Sequence, residues 1–94
     1  MAWIWCTKAQ IITKRPCRLF NVIMTPSAND AGCKIYDGES ARDPPIGIIY
    51  TDVKVTREYY VDGGLETHRG LNVGAFDKVE GLLVIWEPLG EGKA

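Results

Sequence analysis

The residues with the greatest capacity for chemistry are one histidine and three cysteines. His68 stands in the polar segment formed by residues 66–69, and the thiols belong to Cys6, Cys17 and Cys33. A catalytic cysteine needs a base within hydrogen-bond reach and a third group that orients this base. Nothing in the spacing brings a thiol beside His68. We therefore expect a solvated loop histidine and no catalytic residue.

The cysteine pattern also argues against a structural metal or a disulfide framework. An odd number of cysteines without a CxxC pair fits neither arrangement. Each cysteine lies in an apolar run, where a free thiol behaves as a small buried hydrophobe. We expect packed core thiols in a reducing compartment.

Five acidic residues could supply oxygen ligands to a hard cation such as calcium: Asp30, Asp37, Glu39, Asp43 and Asp52. Their spacing lacks the dense alternation of ligands in a calcium loop. The pair Asp37-Gly38 is better explained as a turn, because glycine tolerates positive φ. The remaining glycines match neither the P-loop nor the dinucleotide-binding fingerprint. We expect no metal and no cofactor.

Charge and hydropathy argue against nucleic-acid and membrane partners. The net charge is −1 and the pI is about 5.7, whereas nucleic-acid binders usually carry a basic excess. The densest basic run, Lys8, Lys14, Arg15 and Arg18, is better explained as a solvated strand end or partner contact. No segment approaches the roughly 20 apolar residues that span a bilayer, and the first residues lack the features of a signal peptide. We expect synthesis and folding in the cytoplasm.

The elements that must position these residues are short strands. Frequent Gly and Pro argue against long helices, and the turn signals separate about seven strand candidates. These candidates are residues 3–12, 17–25, 33–36, 46–51, 53–61, 71–75 and 79–87. The pattern predicts an all-β fold, a small antiparallel β-sandwich or barrel of Greek-key or jelly-roll type.

We expect one domain over residues 1–94, since compact domains often have roughly 100–150 residues. Within it, residues 1–13 are expected to form an arm or edge strand, and residues 88–94 a flexible tail. Residues 53–61 alternate between apolar and polar, which is typical of a half-buried strand, and Asp62-Gly63-Gly64 is expected to end that strand.

Two segments, residues 20–24 and 82–86, are apolar on both faces. An antiparallel sheet with one wet face should alternate instead, so we infer that another copy of the chain covers the outer faces. The alternative is that a loop or the Trp-rich N-terminus folds over one sheet. Trp3 and Trp5 fall on the same face of an extended strand. The candidate oligomer or partner interface comprises Trp3, Trp5, Phe20, Val22, Met24, Leu83, Ile85 and Trp86.

Parts of the chain resemble small structural proteins of tailed phages. They are Pro-Cys-Arg-Leu-Phe-Asn-Val-Ile-Met-Thr at residues 16–25, Lys-Ile-Tyr-Asp-Gly at 34–38, and the segments 70–73 and 81–87. Their arrangement is similar to that of the β-sandwich domains that decorate or cement phage heads, or occur in head and tail fibres. The resemblance implies a homotrimer that has no cofactor, binds capsid protein subunits and reinforces the capsid of the virion. The Trp3–Trp5 leader and Asp43-Pro44-Pro45 match nothing in that family.

The leading hypothesis is therefore a non-enzymatic structural virion protein that acts as a small homo-oligomer, with a trimer favoured. The alternative is a carbohydrate- or ligand-binding β-sandwich module, because exposed aromatic side chains can stack on sugars. A hydrolase that uses a Cys–His pair or a bound metal is the third hypothesis.

Overall fold

The part of the chain that the structure describes is built from eight antiparallel β-strands. The computed structural model describes residues 2–89. The strands are β1 (Ala2–Cys6), β2 (Gln10–Thr13), β3 (Cys17–Pro26), β4 (Ala31–Tyr36), β5 (Pro45–Thr51), β6 (Arg57–Glu66), β7 (Leu71–Asp77) and β8 (Val79–Pro88). The prediction of a small all-β sandwich is confirmed. Among the described residues, no helix is long and apolar enough to cross a membrane.

The strands form two four-stranded sheets with a characteristic order. Sheet A has the order β1-β8-β3-β6 and sheet B the order β2-β7-β4-β5. The pairs β1–β8, β2–β7, β3–β6 and β4–β5 are those of one long hairpin. The further pairs β3–β8 and β4–β7 wrap this hairpin into two layers. This order is that of an eight-stranded jelly roll, which consists of two Greek keys.

The core lies between the two sheets. It consists of the side chains that point inward at alternate positions along the strands. Its buried members include Leu19, Val22 and Met24 of β3, Leu82 and Val84 of β8, and Ile35, Leu71 and Val73 of sheet B. A bulge at Phe20 changes the phase of β3, since Leu19 faces the core before it and Val22 after it. The apolar segment 20–24 therefore contains a change of phase, and Ile23 is left on the outer side.

The N-terminal segment 3–12 is two strands rather than the single strand predicted. β1 forms an edge of sheet A and β2 an edge of sheet B, so the chain crosses between the sheets at residues 7–9. The N-terminal residues thus extend both sheets instead of folding over one of them. Of the tail predicted over residues 88–94, residues 90–94 lie outside the described residues.

The strand predicted over residues 53–61 is displaced towards the C-terminus. β6 begins at Arg57, and Val53 and Val55 are exposed in the preceding loop. The strand also continues past Gly63 and Gly64, which were expected to end it. Residues 61–64 loop out opposite the β3 bulge, where both glycines have positive φ. A side chain at residue 64 would overlap that of Arg18, so close packing explains this glycine.

Candidate functional site

The outer side of sheet A carries a continuous row of apolar side chains. The β1–β8 register places Trp3 opposite Ile85 and Trp5 opposite Leu83, and the β8–β3 register places Leu83 opposite Ile23. These five residues are called the apolar face below. Trp3 is 71% exposed and Trp5 is 46% exposed. A shallow groove of about 460 Å³ runs along the face between Trp3, Leu83 and Ile85.

The Trp5 indole is held in place by a glycine on the neighbouring strand. A Cβ at residue 81 would overlap the six-membered ring of Trp5. The indole therefore lies directly on the backbone at Gly81, which is buried beneath it. Because only glycine leaves this space open, the residue at position 81 fixes the orientation of an exposed aromatic ring.

Polar groups border the apolar face on the β3 and β6 side. Arg18 contacts Glu66 at 2.6 Å and Glu87 at 3.7 Å, and the amide of Asn21 donates to Glu58 at 2.6 Å. The hydrogen bond to Glu66 raises the pKa of Arg18. An apolar centre with a charged rim on one side is the usual anatomy of a protein interface.

The structure brings together only part of the predicted interface. Trp3, Trp5, Leu83 and Ile85 lie together on the apolar face. Val22 and Met24 are completely buried in the core, so their assignment to an outer face was wrong, because the bulge at Phe20 reverses which residues of β3 point inward.

Two further candidates, Phe20 and Trp86, are not among the five residues of the apolar face. Phe20 packs at the bulge, close to Gly64. Trp86 packs against the core with its indole nitrogen buried. Ile23 belongs to the face but was missed, since the sequence pattern gave no sign of the bulge that turns it outward.

The outer side of sheet B differs from that of sheet A, because a loop of the same chain covers part of it. Residues 37–44 connect β4 to β5 and lie beside the buried side chains of Tyr36 and Asn72. The Asn72 amide donates to the carbonyl oxygens of Gly38 and Ser40 at 3.0 and 3.3 Å. The loop considered from the sequence was to cover the outer faces of residues 20–24 and 82–86, which lie in sheet A, whereas the loop 37–44 covers part of sheet B.

Two aspartates hold this loop in place. The Asp37 carboxylate accepts backbone N–H groups of His68 at 2.9 Å, Arg69 at 2.8 Å and Gly70 at 3.4 Å. The Asp43 carboxylate accepts the backbone N–H groups of Glu39 and Ser40 and the Arg69 guanidinium. Burial raises the pKa of Asp37, but these backbone hydrogen bonds outweigh it, so the pKa lies below its ordinary value.

These contacts give the acidic residues a structural role. Both carboxylates are already engaged by backbone donors, and a side chain at residue 38 would overlap Asp43. Within residues 2–89, no three His, Cys, Asp or Glu side chains are grouped so that they could hold a metal ion.

The thiols and the histidine lie apart in different surroundings. The three cysteines are buried and free, as predicted. Burial raises the pKa of Cys6 to about 11 and that of Cys33 to about 12, and it also raises the pKa of Cys17. The His68 side chain is 89% exposed, 3.5 Å from the Asp37 carboxylate. Protonated core thiols are poor nucleophiles, because the thiolate is the reactive form.

A second exposed aromatic site lies on the uncovered part of sheet B. Tyr50 is 59% exposed, and its hydroxyl donates to Asp30 at 3.0 Å. The ring borders a shallow cleft of about 190 Å³ whose other lining residues include Gly32, Lys34 and Ile48. The cleft combines an aromatic ring with charged groups on a single surface.

Comparison with known proteins identifies no relative. No protein-family model, no curated protein and no solved structure matches this chain. The class defined by the structure is an eight-stranded jelly-roll sandwich with an uncovered apolar face.

Proposed function

We propose that the protein is a non-enzymatic structural component of a virion, which decorates or stabilises a phage capsid as a small oligomer. The observation that carries the proposal is the apolar face of sheet A. Contiguous exposed apolar patches larger than a few hundred Å² commonly mark interaction sites. This face has two tryptophans at its edge, and tryptophan is enriched among the residues that dominate interface energetics.

The difference between the two sheets supports assembly through sheet A. The protein encloses the outer side of sheet B near Tyr36 and Asn72 with the loop 37–44, which two aspartates anchor. None of the described loops does the same for Trp3 and Trp5, which remain exposed. We assign the cover of sheet A to further copies of the chain and to capsid subunits.

The exposed area of Trp3 and Trp5 determines how much free energy their burial in an interface contributes. Aromatic side chains present roughly 150–250 Å² each, so the exposed parts of Trp3 and Trp5 offer roughly 200–300 Å². At about 25 cal/mol per Å², their burial contributes about 5–7 kcal/mol. Association itself costs about 4–15 kcal/mol. The two indoles therefore need the rest of the face, or additional hydrogen bonds, to hold a stable oligomer.

The assignment to a virion draws on the resemblance to head-decoration proteins. The resembling segments include most of β3 and β8, the central strands of sheet A. Eight-stranded jelly rolls occur in viral capsids, but also in lectins and cupins, and a fold alone does not define a function. A coding sequence located beside phage head genes would favour the structural role, whereas one located among genes of sugar metabolism would oppose it.

Self-association is tested by comparing solution masses of the parent protein and matched variants. We expect native mass spectrometry and light scattering to give an oligomer at micromolar concentration. The double variant W3S/W5S should be a folded monomer. The control Y50S, which removes a similarly exposed aromatic from the other sheet, should keep the parental mass. A monomeric parent protein would contradict the proposal.

The cleft at Tyr50 favours carbohydrate binding as a second candidate function. Aromatic rings stack on the apolar faces of sugars, and the neighbouring Asp30 and Lys34 could hydrogen-bond to hydroxyl groups. A glycan array that detects specific binding, lost in Y50A but kept in W3S/W5S, would support this alternative. An array without binding leaves the structural role as the better proposal.

A further inference from the structure

The four edge strands of the sandwich differ in how they are protected against pairing with another strand. The edges are β1 and β6 in sheet A, and β2 and β5 in sheet B. Proteins usually protect such edges with charges, proline, bulges or short strands. β6 carries Arg57, Glu58 and Glu66 and the loop-out at residues 61–64. β2 has only four residues and an irregular register, and β5 begins with Pro45.

β1 lacks the charges, proline and bulge of the other edges, and it is one residue longer than β2. Its five residues, Ala2 to Cys6, include no charged residue and no proline. Its register with β8 is uninterrupted, whereas each of the other strand pairs contains an irregularity. Within residues 2–89, β1 has a partner strand on one side only. A regular, apolar edge of this kind is suited to receive another strand.

We propose that β1 pairs antiparallel with β1 of a second copy of the chain, about a two-fold axis at Ile4. This inference rests on the proposed self-assembly and specifies its geometry. With the axis at Ile4, all five residues of β1 are paired. Trp3 then lies opposite Trp5 of the other copy, and Ala2 opposite Cys6. Any other centre shortens the pairing or leaves a tryptophan without its counterpart.

The register is favourable for the side chains as well as for the backbone. Trp3 and Trp5 both lie on the apolar face, so the two Trp–Trp pairs meet on the same side of the joined sheet. Directly opposed aromatic residues stabilise antiparallel strands. All five pairs are uncharged, so the two copies bring no like charges together. Pairing also forms backbone hydrogen bonds between the two β1 strands. These bonds add to the free energy that burial of indole surface contributes.

The pairing has consequences for assembly. Two copies form one eight-stranded sheet with four tryptophans at its centre, and this continuous apolar face is the surface offered to capsid subunits. Because the joined face stays exposed, the indole surface that two copies bury against each other is less than roughly 400–600 Å², well below the roughly 1,200 Å² of stable interfaces. We therefore expect a reversible dimer, in place of the trimer that the resemblance implies.

Cysteine cross-linking of two different variants tests the register directly. In a mixed dimer of W3C and W5C chains, the two new thiols face each other, and the other Trp3–Trp5 pair is kept. Directly opposed residues have Cβ atoms about 4.5–5.5 Å apart, close to the distance in a disulfide. In W3C alone or W5C alone, each new thiol faces a tryptophan. The parent protein, whose three cysteines are buried, serves as the control.

We expect mild oxidation to give a covalent dimer from the mixture only. Cross-linking of W3C with itself would overturn the register. A parent oligomer without any cross-link in the mixture would overturn the β1 pairing and leave the proposed function intact. A parent monomer would overturn both. Should the variants fail to fold, native mass spectrometry of the parent decides, because a mass of three chains contradicts the two-fold pairing and a mass of two chains supports it.

Discussion

The Asp37 carboxylate provides the clearest test of how the fold is held together. It joins the loop 37–44 to the turn before β7 through backbone donors of three consecutive residues, His68, Arg69 and Gly70. The substitution D37N keeps the size of the side chain but replaces one carboxylate oxygen with an amide group that donates. That group would face backbone N–H groups, which also donate.

The cost of this substitution can be worked from those contacts. At least one backbone N–H group loses its acceptor, and a buried donor without a partner costs about 1–3 kcal/mol. The remaining hydrogen bonds lose the contribution of the negative charge, which makes such bonds roughly twice as strong as neutral ones. We expect D37N to lower the free energy of unfolding by about 2–4 kcal/mol, a large share of the 5–15 kcal/mol of a typical domain.

The pH dependence follows from the direction of the pKa shift. Because the pKa of Asp37 is lower in the folded protein, its ionised form stabilises the fold above the ordinary carboxyl pKa of about 3.9. This stabilisation is lost as the pH falls through the lower pKa of the folded state. The difference in the free energy of unfolding between the parent protein and D37N should therefore be constant from pH 7 to about pH 5 and shrink below about pH 4.

Urea denaturation at pH 7 and pH 3, followed by tryptophan fluorescence, measures both effects. The control is D52N, which changes an exposed aspartate in the loop after β5 and should shift the midpoint little. Equal midpoints for the parent protein and D37N at pH 7 would refute the structural role of Asp37. If D37N loses the same free energy of unfolding at both pH values, the stabilisation by Asp37 does not depend on the charge of its carboxylate.

Three further predictions concern the tryptophans and cysteines. G81A should displace the Trp5 indole. It should lower the free energy of self-association at least as much as the free energy of unfolding; light scattering measures the first and urea denaturation the second. W86A should lower the free energy of unfolding by about 3 kcal/mol, the lower end of the usual range, without changing the oligomeric mass, since Trp86 packs against the core. EDTA and dithiothreitol should leave the Tm unchanged, and the buried Cys6 and Cys33 should react with iodoacetamide only after unfolding; a large drop in Tm or fast labelling of the native protein would contradict this.

The sequence predicted most of the strands, because alternation and turn residues are local signals. β3, β4, β5, β7 and β8 all contain the segments predicted for them. The errors arise where a non-local contact decides the local structure. The bulge at Phe20 and the loop-out at residues 61–64 compensate each other across two strands. The crossing at residues 7–9 has neither glycine nor proline to mark it.

The candidate site was predicted only in part for the same reason. That Trp3 and Trp5 share a face follows from their spacing, but the side of the sheet and their neighbours on it depend on the pairing of β1 with β8, which are far apart in the sequence. The assignment of Val22 and Met24 to the interface failed because their direction depends on the bulge. Pairing partners across nearly the whole chain length are not encoded in any local pattern.

The two outer sides of the sandwich separate the residues that stabilise the fold from those that mediate assembly. D37N loosens the cover of sheet B, whereas W3S/W5S alters the outer side of sheet A, and the core lies between them. Substitutions at distant sites that share no partner usually have additive effects on the free energy of unfolding. A variant that combines D37N with W3S/W5S should therefore show the sum of the two losses, measured at concentrations too low for association. Its mass should equal that of W3S/W5S. A D37N protein that is itself monomeric at micromolar concentration would contradict this separation, since it would couple the loop 37–44 to the apolar face.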